Sequence, residues 1–100
     1  MEQIKLNETL PNQSISFDID EGYIDLDLRT TETGLYCNIA LNGEQIFYGR
    51  RCCNKSPLFL SPNVIKGNLY FKDLYGNNDP NYEEFNSRYI LIYDKNYTIL

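Results

Sequence analysis

Polar and apolar residues alternate with a period of two over much of the chain, the pattern of strands that lay one face on a core and the other in water. Ser14-Ile15-Ser16-Phe17-Asp18-Ile19 alternates, Asp20-Glu21-Gly22 supplies turn formers, and Tyr23-Ile24-Asp25-Leu26-Asp27-Leu28-Arg29 alternates again. This predicts a hairpin. Ile15, Phe17 and Ile19 point one way on its first strand, Ile24, Leu26 and Leu28 share a face on its second, and Asp18, Asp25 and Asp27 lie opposite the core. A second hairpin follows from Leu35–Leu41 and Gln45–Arg51, joined at Asn42-Gly43. That dipeptide tolerates positive φ at both positions, as a type I′ turn requires, and Gly49 in the return strand predicts a bulge or a close backbone approach.

From Asn54 to Asn63 the chain carries Ser56-Pro57 and Ser61-Pro62, and proline cannot donate to a sheet ladder. The stretch reads as a connection whose apolar insert, Leu58-Phe59-Leu60, tucks into the core. Asn68–Asp73 reads as a strand and Leu74–Pro80 as a turn-rich link. Pro80 is expected at the first position of one helical turn, with Asp79 as its N-cap and Asn81–Asn86 too short to add more than that turn. Arg88–Asp94 is a continuous apolar run, as expected of a central strand covered on both faces, and the tail Lys95–Leu100 is expected to add a short edge strand. About six or seven short strands with one short helical turn make an all-β fold, a sandwich or a partly open barrel.

Composition narrows the chemistry. One hundred residues suffice for a single domain spanning 1–100 and not for two. Nine Lys and Arg against fourteen Asp and Glu give a net charge of −5, which leaves no broad basic surface for phosphates. No apolar run approaches the roughly 20 residues of a spanning helix, and no membrane role is expected. The start Met1–Leu6 lacks a signal-peptide pattern, which predicts a cytosolic protein. Three cysteines, with Cys52 and Cys53 adjacent, do not form a disulfide framework, so Cys37, Cys52 and Cys53 are read as free thiols.

Histidine is absent, which removes the commonest metal ligand and the usual general base near neutral pH. Cys37 with Cys52-Cys53 lacks the spacing of a zinc site, and no metal or other cofactor is expected. Asp18, Asp20 and Glu21 beside Gly22 could supply oxygens to calcium but do not follow the twelve-residue loop pattern. Ser and Cys nucleophiles have no base, and Glu83-Glu84 stands on a polar turn, so no enzyme is expected. Tyr70, Phe71 and Tyr75 could stack on bases or sugar rings, but the acidic balance opposes nucleic acid, and they read as core and interface residues. Arg50-Arg51, the only basic doublet, reads as ordinary surface or as a contact for an acidic patch on a neighbouring subunit.

The order of motifs resembles the small baseplate plug proteins of contractile phage tails, a family of about this length with an all-β domain. An alternating strand pair is followed by a strand into Asn42-Gly43 with Gly49 on the return, then by a G-x-L strand and a D-x-x-G turn. The match continues through Asp-Pro, a helical turn and an apolar strand ending in Tyr. The residues carrying it are Gly43, Gly49, Gly67, Leu69, Asp73, Gly76, Asp79, Pro80, Leu91 and Tyr93. The family often has Trp at or beside the place of Tyr36, and Leu-Gly where this chain has Phe85-Asn86. Asn is the usual substitute for Gly at a helix end.

The resemblance implies a structural part of the baseplate hub near the tail axis, helping to plug the lumen and to join the tube end to the hub. It implies a homo-oligomer around that axis, with hub, tube-initiator and tape-measure proteins as partners. Arg50 and Arg51 would be rim contacts, and DNA would pass without specific binding. The location implied is the tail baseplate of a virion or tail-like particle, assembled in the bacterial host cytoplasm. If the Asp18, Asp25 and Asp27 face lines the lumen, it would repel passing DNA. The alternative reading of the residues is a cytosolic β-sandwich adaptor that binds a peptide or glycan.

Overall fold

A computed structural model describes residues 2–20, 22–55, 58 and 67–95. Among them are seven strands: β1 (Glu2–Ile4), β2 (Asn12–Ile19), β3 (Gly22–Thr31), β4 (Gly34–Leu41), β5 (Glu44–Arg51), β6 (Asn68–Asp73) and β7 (Tyr89–Asp94), with one 3-10 turn at Tyr82–Glu84. Two antiparallel sheets form, one in the order β1-β7-β6 and the other β2-β3-β4-β5. The fold is all-β, and because the sheets share no strand it is a sandwich rather than a barrel.

Both expected hairpins are present. In the first, Ile15 pairs with Leu26 and Phe17 with Ile24, so the apolar residues of both strands share a face. In the second, Asn42 and Gly43 have φ of 52° and 85°, the left-handed values of a type I′ turn. Six residues of β4, from Tyr36 to Leu41, oppose eight of β5, and the ladder shifts register twice. One shift falls beside Gly49, whose φ of 64° favours glycine and whose N–H is donated to Asn38 Oδ1 at 2.7 Å.

The inner faces of the sheets meet in one apolar cluster that includes Ile24, Leu26, Leu28, Cys37 and Ile39 from one sheet and Leu69, Phe71 and Leu91 from the other. Phe85, from the link before β7, stacks on Phe71 with ring centroids 5.8 Å apart. The expected central strand is β7, flanked by β1 and β6, and its continuous apolar run fits cover on both faces. Gln13 turns inward on β2, where burial of an amide requires partners. Its side chain accepts from Asn7 N (2.8 Å) and donates to Asn7 O (2.8 Å) and Leu10 O (3.1 Å), closing the β1–β2 loop.

Two sequence expectations change. The 3-10 turn is capped by Asn81, not Asp79. Asn81 has extended φ and ψ of −133° and 136° and accepts from Glu83 N, while the Asp79 carboxylate is drawn to Asn54 N (3.0 Å). The helical turn accordingly starts at Tyr82, two residues beyond Pro80. Strand β1, not anticipated from the short Glu2–Ile4 segment, pairs in register with β7. Leu58 is fully buried in the core as expected, whereas Phe59, Leu60 and the tail beyond Lys95 lie outside the described residues.

The burial gradient across the β2–β3 pair sets relative energies. Leu26→Ala, at a position 1% exposed, is expected to cost about 2–5 kcal/mol in urea unfolding. Ile15→Ala, on the same face but half-buried, should cost clearly less.

Candidate functional site

Asp73 ends β6 with its side chain fully out of water. A buried carboxylate must have its oxygens satisfied, and four donors converge here. Arg88 gives Nε to Oδ1 (2.9 Å) and Nη2 to Oδ2 (3.1 Å), and the backbone amides of Tyr75 and Asn78 donate at 2.9 Å each. The Arg88 guanidinium, joined by the two amides, outweighs the desolvation that would raise the pKa and holds the Asp73 carboxyl well below the usual carboxylate range. The backbone follows the side chains, since Leu74 N donates to Arg88 O (2.8 Å) and Asp73 N to Asn54 Oδ1 (2.9 Å). Arg88 also lies over the Tyr89 ring and beside Glu84 at 3.7 Å.

The Asp-x-x-Gly turn is therefore a fixed loop. Its two middle residues point outward, Leu74 at 46% and Tyr75 at 76% exposure. Phe71, weighed with Tyr70 and Tyr75 as a stacking surface, is instead core at 0% exposure, so the three do not form one platform.

The structure joins several of the motif residues. Leu69 pairs with Tyr93 across β6–β7, and Leu91 pairs with Phe71. Gly67 lies against the chain just beyond β7: a Cβ there would stand 2.7 Å from Asp94 O and 2.5 Å from Lys95 Cα, contacts that backbone cannot relieve cheaply. Gly76 faces the ion pair with ordinary clearance, 3.4 Å from Asp73 Oδ2. Pro80 is buried, and Asp79 links Asn54 to Arg51 (3.8 Å). Gly43 and Gly49 belong to the other sheet. Arg51 is exposed, whereas Arg50 is half-buried, so the two halves of the doublet occupy different environments.

Arg88 was missed in the sequence because it reads as the first residue of an apolar strand. The Asp73 turn pattern was visible, but a partner 15 residues away carries no local signal. From the sequence, Asn86 is a substitute for Gly at a helix end. Its φ of 68° fits that, and its side chain also accepts from Leu6 N (3.1 Å) and donates to Leu6 O (2.7 Å), tying the chain after β1 to the chain before β7.

Asp18, Asp25 and Asp27 line the outer face of the four-stranded sheet. Ser16 donates to Asp25 (2.6 Å), and Ser14, Arg29 and Asn38 donate to Asp27 at 2.9, 3.1 and 3.2 Å. Partial burial raises the Asp27 pKa, but these donors outweigh it and the net shift is downward. Cys37 and Cys52 are buried and hydrogen-bonded to each other. That bond, then burial, pushes the Cys52 thiol far above its ordinary range, the reverse of a nucleophile. Among the described residues no three Asp, Glu, Cys or His side chains group as metal ligands, and Glu21 lies outside those residues.

Two results are expected. A carboxyl with a depressed folded-state pKa stabilises the fold above its ordinary value of roughly 3.9 and loses that contribution as pH falls from there through the lower folded-state value. Asp73→Asn should therefore lower the melting temperature at pH 7 and flatten the loss of stability below pH 5, measured by thermal melts across pH. Gly67→Ala should destabilise far more than Gly76→Ala in denaturant titrations, because only the first drives a Cβ into backbone.

No curated protein matches the chain. A sequence model of the family described as cyanophage baseplate Pam3 plug gp18 matches residues 1–96, nearly the whole length over which the two sheets and the Asp73 loop are built. On that match the chain belongs to the cyanophage baseplate Pam3 plug gp18 family.

Proposed function

We propose that the chain is a part of the baseplate hub, set near the tail axis in several copies, which joins the tube end to the hub and helps to plug the lumen. The observation that carries this is the family match over residues 1–96, which supports a structural role in a phage baseplate. Its partners in this reading are further copies of itself, the hub and tube-initiator proteins, and the end of the tape-measure protein. The geometry supports a part that works by contact. Tyr48 and Tyr75 are 82% and 76% exposed, and aromatic side chains held out on rigid backbone lose little entropy when a neighbour covers them. Arg51, exposed beside Asp79, fits a rim contact, a position where charge contributes mainly to orientation.

In this reading the Asp18, Asp25 and Asp27 face lines the lumen. Its carboxylates repel the DNA backbone, so DNA passes without specific binding. The site of action is the tail baseplate of a virion or tail-like particle, after assembly in the host cytoplasm.

Deleting the gene is expected to block tail assembly or leave baseplates that fall apart, scored by electron microscopy and particle yield. Infectious particles of normal yield that lack the protein would overturn the proposal.

A further inference from the structure

A sandwich of two open sheets has four edges, each a row of backbone groups able to pair with another strand, and proteins usually blunt them. Three are blunted here. Strand β1 is only three residues long. The open side of β6 is covered by the chain before it, with Lys55 N donating to Phe71 O (2.7 Å) and Leu58 N to Leu69 O (2.8 Å). Strand β5 is broken by two register shifts. The fourth, β2, is eight residues in unbroken register with β3, and between Asn12 and Ile19 it has no Pro, Lys or Arg.

The outward groups of β2 follow from its hairpin. Ile19 pairs with Gly22 across a two-residue connection, the closely bonded pair of an antiparallel ladder, and bonding then alternates. Ser14, Ser16 and Asp18 thus turn their N–H and C=O groups to the open edge. Tyr23, opposite Asp18, agrees: its N–H and C=O bond Asn42 on the other side, both at 2.8 Å. On the core face, Ile15, Phe17 and Ile19 are half-buried although their β3 neighbours Leu26 and Ile24 are 1% and 0% exposed. The apolar layer is unfinished where the ladder is unfinished.

We propose that β2 pairs antiparallel with β2 of a second copy about a two-fold axis at Ser16, joining two four-stranded sheets into one. The sequence about that centre is self-complementary. Phe17 falls opposite the partner's Ile15, an aromatic and β-branched pair, and Asp18 falls opposite the partner's Ser14. Centring the axis on Asp18 would instead set two carboxylates face to face. Centring it on Ser14 would carry Asp18 past the end of the partner's strand to Leu10. An isologous pair consumes the edge and closes, so the open strand does not propagate into fibres. The pairing rests on the edge geometry and not on the baseplate reading.

Sedimentation of the full chain over a wide concentration range should show a reversible monomer–dimer equilibrium. Ser16→Lys sets two ammonium groups together at the axis and should weaken the dimer by ~10-fold or more, with the melting temperature unchanged at concentrations where the original chain is monomeric. Ser16→Pro, which removes an edge donor unused among the described residues, should act likewise. In a Cys53→Ser background, Ser16→Cys should form a disulfide dimer with diamide, because bonded antiparallel pairs hold Cα atoms about 5.5 Å apart. Ser14→Cys should not, since its twin stands about 14 Å along the partner strand. A chain monomeric at every concentration, a dimer indifferent to both Ser16→Lys and Ser16→Pro, or cross-linking at Ser14 in preference to Ser16 would overturn the pairing.

Discussion

The buried carboxylate of Asp73 is the constraint around which the β6–β7 half of the molecule is arranged. A charge taken out of water is tolerable only when every lone pair has a donor, and here the donors come from separate places. The guanidinium of Arg88 precedes β7, and the amides of Tyr75 and Asn78 belong to the loop that leaves β6. Satisfying one side chain therefore sets the loop shape, the approach to β7 and, through Asn54, the course of the chain along β6. The remaining half is held differently, by two local hairpins whose apolar faces close over Leu69, Phe71 and Leu91.

This division suits a part that works by being held in place. On the outer face of the four-stranded sheet Asp25 and Asp27 are already hydrogen-bonded by their own neighbours, so it presents fixed negative charge. The loop above Asp73 presents Leu74 and Tyr75 on backbone that is ordered before any neighbour arrives, which lowers the entropy lost on contact. Family membership supports a structural role in a phage baseplate, and rigid display of this kind is what such a role asks of a small domain.

What could be read from sequence was what is encoded locally. The Asn42-Gly43 turn and the alternation over Ser14–Ile19 and Tyr23–Arg29 each specify a strand pair within a few residues, and both pairs are present. The Asp73 turn was visible as a pattern and its Arg88 clamp was not, because the meeting of the two depends on β6 and β7 pairing first. The cap of the helical turn is ambiguous in the sequence for a related reason. Asp79 and Asn81 are both good caps by residue type, and only the pull of Asn54 on Asp79 decides between them. Strand β1 is too short to show a period, and it exists because β7 offers it an edge.

The most direct test of the proposed role is a cryo-electron microscopy map of the intact particle, at a resolution that separates strands. The account predicts density for this two-sheet domain in several copies near the tail axis, between the tube end and the hub, with the Asp18, Asp25 and Asp27 face toward the lumen. A baseplate without such density at the axis, or with that face buried in partners around a basic lumen, would contradict it.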